Sequence, residues 1–410
     1  MIPSCKVYPR TLLASACVLA ATLSLGGAQA APAYSVIYNF EGFANGGQDG
    51  SSPVSEVTFD KAGNLYGTTP YGGQSNTGIV FGIAANGTYT LLHSFTGDDS
   101  QTGGSQPNGG VTVSASGDLT GTTSFGGTTN YGTAWLLKSG GAYSVLHNFD
   151  VDDDFPYGTP LSVSGATYGT TLYGDPDGTG TIWKLTKKGG FSVIHGFTQA
   201  DDEAAYPNGG LVQDSDGNLY GTASQGGTSA CSCGAVFRIA ANGSGYTTLY
   251  SFTDGADGEF PGGALIRDTD GTLYGTASNT FFGFSCGTNG CGTLWQLTPN
   301  GNFTVLHTFA GGDNDGANPE GNLLKIGKTI YGTTQYGGGS GCNSHGCGTV
   351  YKLSVKAGVK YKVLHKFAEG TGDGQRPLAG LAQGVKGKLY GTTYEGGQYN
   401  NGTVFALSAK

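Results

Sequence analysis

One motif, copied seven times, constrains this chain more than any other feature. A Tyr-Gly-Thr tripeptide or a near variant recurs with its glycine at Gly67, Gly121, Gly169, Gly221, Gly275, Gly332 and Gly391. The intervals are 54, 48, 52, 54, 57 and 59 residues. A unit of that size cannot bury its apolar face alone and must stack against its copies. Three further signatures keep step. A Pro-led run lies upstream, as in "PNGGLVQ" at 207, "PLAGLAQ" at 377 and "PLSVS" at 160 in the third unit. Downstream come runs such as "GTIWKL" at 180 and then "FTVLHTF" at 303.

Each segment is short, rich in aromatic and β-branched residues, and bounded by Gly, Asn or Asp, which reads as strand. No stretch carries a 3.6-residue apolar period, so almost no helix is expected. Four strands in each of seven units predict an all-β fold, a seven-bladed β-propeller with four-stranded blades. We letter the strands a (Pro-led), b (Tyr-Gly-Thr), c and d. A lone d segment, "YSVIYNF" at 34–40, precedes the first a. The last unit stops at its c segment, 402–410. The ring should therefore be closed by the N-terminal strand pairing with the C-terminal blade, which removes both free edges.

The combination "P-x-G-G-L", "G-N-L-Y-G-T-T", "G-T-V-F-K-L" and "V-L-H-S-F" resembles the Gloeo-Verruco (GloVer) tandem repeat family of secreted bacterial proteins, across residues 34–410. The resemblance implies the repeat fold and export, and brings no activity with it. Some members carry C-terminal sorting or anchoring segments; Lys410 directly follows the last strand here, so surface anchoring is not expected.

Residues 1–30 read as a signal peptide. Lys6 and Arg10 precede an apolar stretch at 11–25, and Ala28, Gln29 and Ala30 offer a small-x-small cleavage site. A lipoprotein alternative would use Cys17, but apolar sequence runs on past it. Cleavage after Ala30 leaves one domain, the seven-repeat propeller of 31–410, secreted or periplasmic and expected to be a monomer. Its net charge changes from −9 to −11 with the loss of the two basic residues. That balance argues against nucleic acid as a partner. No second long apolar run suggests a membrane span.

Most polar residues simply repeat. His93, His147, His195, His307 and His365 share one place in strand d, where Tyr38 and Tyr250 stand in two other units. A half-buried aromatic that hydrogen-bonds between blades fits that pattern; a catalytic base does not. Asp-Gly pairs such as Asp216-Gly217 and Asp270-Gly271 read as hairpin turns, with calcium left as an open alternative and no other cofactor expected. The cysteines Cys231 and Cys233, Cys286 and Cys291, Cys342 and Cys347 form local pairs, all between strands b and c. Export and even count favour three disulfides, the first pair being the least certain. His345 beside Cys342 and Cys347 would leave a zinc site one ligand short.

No catalytic set is evident. The long, individual b–c and d–a loops share one face of a propeller, and ligands usually meet such loops. Tyr71, Phe125, Tyr173, Phe282, Tyr336 and Tyr394 in the b–c loops are the candidate ligand-binding residues, expected to reach solvent or to cap their blades. The favoured function is an exported binding or structural module that holds a polysaccharide or a protein through this face. The alternative is a carbohydrate-active enzyme, a glycoside hydrolase or lyase, that uses acids of the d–a loops.

Overall fold

The computed structural model describes residues 33–43, 49–98, 103–163, 165–175, 177–198, 200, 202–253, 255–279, 286, 290–355 and 360–409. Residues 1–30, expected to be a signal peptide and including Cys17, and Phe282 lie outside the described residues.

The described strands form seven four-stranded antiparallel sheets, the blades of a β-propeller. Blade one has strand a at Thr58–Phe59, b at Leu65–Thr69, c at Ile79–Ile83 and d at Tyr89–Ser94. Blades two to six keep that order, from Thr112 to Asn148, Leu161 to Gly196, Val212 to Ser251, Glu259 to Thr308 and Leu324 to Lys366. Blade seven takes a, b and c from Ala382–Gln383, Lys388–Thr393 and Thr403–Ser408. Its d strand is Tyr34–Asn39, with Tyr34 opposite Leu407 and Asn39 opposite Thr403. The ring closes as the repeat order requires.

The motif's residue types now have causes. The repeat glycine of strand b lies under a ring of strand c. A Cβ on Gly391 would meet the Phe405 ring at 2.6 Å, and Gly121, Gly169 and Gly275 lie under Trp135, Trp183 and Trp295 in the same way. Only hydrogen fits there. The following threonine ties one blade to the next. Thr68 donates its hydroxyl to the Gly109 carbonyl at 2.9 Å, and Thr392 reaches Ser55 across the closure at 3.1 Å.

The core sits between blades. Phe252, which follows strand d of blade four, is fully buried and packs edge-on to Trp295 of blade five at 5.7 Å. The glycine that opens strand c receives the proline ring of the next blade, as at Gly78 with Pro107 and Gly402 with Pro53. That relation corrects the reading of the third unit. Pro156, not Pro160, packs on Gly132. Leu161 pairs with Tyr168 just as Thr112 pairs with Thr120, so Pro160 occupies the place of Val111. The segment begins four residues earlier than its second proline suggested.

Candidate functional site

Each d–a loop turns toward the axis at the residue before the leading proline. All seven of these residues, Ser52, Gln106, Phe155, Tyr206, Phe260, Asn318 and Arg376, hold a left-handed φ between 50° and 64°. A non-glycine residue in that region is uncommon and costs free energy. Here it re-aims the chain so that strand a starts down the channel. The side chains one and three residues after the proline then face the axis. The first of these positions carries Asn108, Tyr157, Asn208 and Glu320 among its seven occupants, and the second carries Glu56, Thr159 and Asn322. Nothing at either position recurs around the ring as the strand motifs do.

These residues and the tips of the b–c loops line a cavity of about 670 Å³ at the loop-face end of the channel, within the range of small-molecule sites. Arg376 is the one basic residue among those lining it. Its Nη1 donates to Glu395 Oε1 at 2.8 Å and its Nη2 to the Tyr336 hydroxyl at 3.1 Å. The guanidinium also lies 5.4 Å and 5.6 Å from the Tyr336 and Tyr394 ring centres. Among the described residues, neither Glu320 nor Glu56 has such a partner. Burial pushes the Glu320 carboxyl up to about 7, against the opposing pull of Arg376. Burial also pushes the Tyr157 hydroxyl up to about 12, with Glu320, Tyr394 and Tyr71 adding to it. Tyr157 of blade three thus shares its electrostatic surroundings with residues of blades six, seven and one. The Asn208 Oδ1 and Gln335 Oε1 atoms are buried without a hydrogen-bond partner.

Of the aromatic candidates, Tyr71, Tyr173 and Tyr394 line this cavity. Tyr71 and Tyr173 are 37% and 41% exposed. Phe125 instead packs edge-on to Phe155 at 4.9 Å. Tyr336 does not reach solvent: it is 8% exposed, within the blade core and against Arg376. Sequence reasoning missed Tyr157, Glu320, Glu56 and Arg376. The available signal was the variation just after each leading proline, and the misplaced start of the third unit hid Tyr157.

The repeating polar groups build the frame. Along the outer strands, His93 stacks on Tyr143 at 3.9 Å, His307 on Tyr361 at 3.7 Å and Tyr250 on Phe303 at 3.9 Å, each a contact from one blade to the next. An acid from the following d–a loop takes the polar edge. His307 Nε2 pairs with Asp315 at 3.0 Å, His195 with Glu203 at 2.6 Å, and Tyr250 donates to Asp257 at 2.9 Å. The same carboxylates accept the backbone N–H groups of Ala310, Thr198 and Thr253. These acids are therefore neither solvated nor free for acid–base chemistry. His93 has no hydrogen-bond partner for Nε2 among the described residues, and burial lowers it to about 4. In the a–b turns, Asp214 accepts from the Asp216 and Asn218 N–H groups and the Tyr220 hydroxyl.

All three cysteine pairs are disulfides, including Cys231–Cys233. Cys342 and Cys347 lie within 4.8 Å of a Glu369 carboxylate oxygen. The sulfurs are bonded to each other, so they supply no thiolate for a metal. Glu369 instead accepts the Cys342 N–H.

Fold and site together define a class: a seven-bladed propeller with a repeating frame and a non-repeating cavity on its axis. The sequence matches the Gloeobacter/Verrucomicrobia repeat over residues 27–162, 106–341 and 277–410. The chain belongs to that family. No curated protein matches it. Among solved structures, a protein described as a "putative 6-phosphogluconolactonase" from Bacteroides uniformis is similar with a TM-score of 0.50 and 13% identity, over 82% of this chain and 89% of that one. The nidogen/laminin complex gives a TM-score of 0.43 at 15% identity, over 72% and 90%. TolB from Acinetobacter baumannii gives 0.41 at 13%, over 75% and 65%. At such identities the likeness is one of fold.

Proposed function

We propose that the protein is an exported binding module that takes a polyhydroxylated ligand, the unit of a polysaccharide, into the loop-face mouth of its channel. The observation that carries this reading is the contrast between a repeating frame and a cavity whose lining does not repeat. Tyrosine rings and amide side chains suit the faces and hydroxyls of a sugar. Three disulfides are compatible with an oxidising compartment. A glycan array probed with residues 31–410, followed by calorimetry on the best binder, tests the proposal. Binding that Tyr157→Ala weakens at least tenfold supports it. Binding that Tyr157→Ala leaves unchanged places the ligand elsewhere.

A second reading, carbohydrate cleavage, draws on Glu320. A carboxyl that titrates near neutrality can act as a general acid, and Glu56 supplies a second non-repeating carboxylate in the same cavity. Release of new reducing ends or of unsaturated sugar from a bound glycan, abolished by Glu320→Gln, would select this reading over simple binding.

A further inference from the structure

We propose that the ligand unit seated in the channel mouth carries a protonated amine, as an amine-bearing sugar does. This inference rests on the channel-mouth reading above and names the chemistry that the cavity selects.

Glu320 and Glu56 present carboxyl groups to the cavity, and neither side chain has a hydrogen-bond partner among the described residues. The Asn208 Oδ1 and Gln335 Oε1 atoms of the same lining are buried acceptors without a donor. The Arg376 guanidinium is engaged with Glu395 and Tyr336 through its two Nη atoms, and its Nε is buried without a partner among the described residues. Among the buried lining atoms without a partner in the described residues, the two amide oxygens thus outnumber the one donor, the Arg376 Nε. A buried acceptor left unmet costs its desolvation free energy, so the site favours a ligand group that only donates. An ammonium has three donors and no acceptor.

The walls point the same way. Tyr71, Phe155, Tyr157, Tyr173 and Tyr394 line the cavity. The negative face of an aromatic ring attracts a cation. With Glu56, Glu320 and Glu395 against Arg376, the lining holds an excess of two carboxylates when all are ionised. An anionic ligand meets that excess as repulsion, and a neutral one leaves it unmet.

Occupancy should also move a proton. Glu320 faces Arg376 and Tyr157; Tyr71 and Tyr394 act on Tyr157, Glu395 holds Arg376, and Glu56 lies in the same cavity. A cation placed beside Glu320 lowers its pKa from about 7. Binding of an amine that is already protonated in solution, as at pH 5.5, is then accompanied by release of a fraction of a proton to the buffer.

The test uses three β-1,4-linked tetramers that differ only at carbon 2, built from glucosamine, N-acetylglucosamine and glucose. Each is titrated calorimetrically into residues 31–410 at pH 5.5, where the amines are already protonated, in two buffers of different ionisation enthalpy. The expected result is at least tenfold tighter binding of the glucosamine tetramer, with proton release. Glu320→Gln should cut that preference to about twofold or less and abolish the release. Equal binding of all three tetramers overturns the inference while leaving the channel reading in place. Failure of all three overturns the inference, and the glycan array then judges the channel reading separately. A preference that survives in both Glu320→Gln and Glu56→Gln is attraction to the acidic surface, since each variant removes one charge from a chain of net −11. That result also overturns it.

Discussion

The phenol ring of Tyr34 lies flat on the imidazole of His365, with centroids 3.8 Å apart and planes within 7°. One residue sits near the N-terminus and the other in the sixth blade, so the contact belongs to the closure. The same stack joins His93 to Tyr143 and His307 to Tyr361, where chain connectivity already holds the blades in order. At the closure the chain gives no such help, and noncovalent contacts alone keep blade seven complete.

Closure should therefore dominate stability. Tyr34→Ala removes the stack and an edge contact with Phe367 at 5.9 Å, and is expected to cost about 2–4 kcal/mol. Deleting residues 34–40 exposes strand c of blade seven and should abolish the single cooperative transition. A deletion that melts like the intact chain in differential scanning calorimetry would refute the account.

The repeat glycine makes a sharper prediction. Gly391→Ala places a methyl group 2.6 Å from the Phe405 ring and should destabilise by about 1–3 kcal/mol through overpacking. Gly339→Ala is the control, because nothing lies within 4 Å of that site and its φ is not left-handed. It should be neutral within about 0.5 kcal/mol. Chemical denaturation of the pair decides the matter.

Asp315 should show its structural role in acid. Burial raises its pKa, but hydrogen bonds from His307 and the Ala310 N–H outweigh burial, and the net shift is downward. A carboxyl depressed in the folded state stabilises above its unfolded pKa, and that stabilisation is lost as pH falls through the folded value. Asp315→Ala should cost about 1–3 kcal/mol at pH 7, with the difference from wild type shrinking below about pH 4. A constant difference from pH 7 to pH 3 would remove the carboxylate from the explanation.

Glu320 should behave in the opposite sense. Its pKa is raised to about 7 by burial, so the protonated form suits the fold. Its contribution is present below the unfolded pKa and is lost as pH rises through 7. Glu320→Gln should match wild type near pH 4 and exceed it by on the order of 2 kcal/mol at pH 8. Urea midpoints measured across that interval check the sign.

The disulfides yield the simplest experiment. Nonreducing peptide mapping of the native protein should recover the Cys286–Cys291 and Cys342–Cys347 linkages, and reduction should cost on the order of 2 kcal/mol for each short loop. Free thiols at these positions in native protein would contradict the structure.

Of the cysteine pairs the sequence by itself left Cys231–Cys233 open, but it determined the blade count, the strand order and the closure. Each is written as a repeat, because every blade solves the same packing problem and must reuse the same residues: glycine under a ring, threonine across to the next blade, a ring at the outer edge. The two-residue strand a at Thr58–Phe59, by contrast, left its boundaries to tertiary contacts, and Pro160 drew attention from Pro156. The cavity was not legible for a related reason. Tyr157, Glu320 and Arg376 lie in three blades far apart in sequence, and what unites them is a common axis. Tyr71 and Tyr336 hold equivalent positions in the repeat, yet one opens to the cavity and the other is buried beneath Arg376. Local pattern reports what each blade needs to pack. Which side chains meet across the channel, and which acids are spent on the frame, follows only when the ring brings seven different blades to one point.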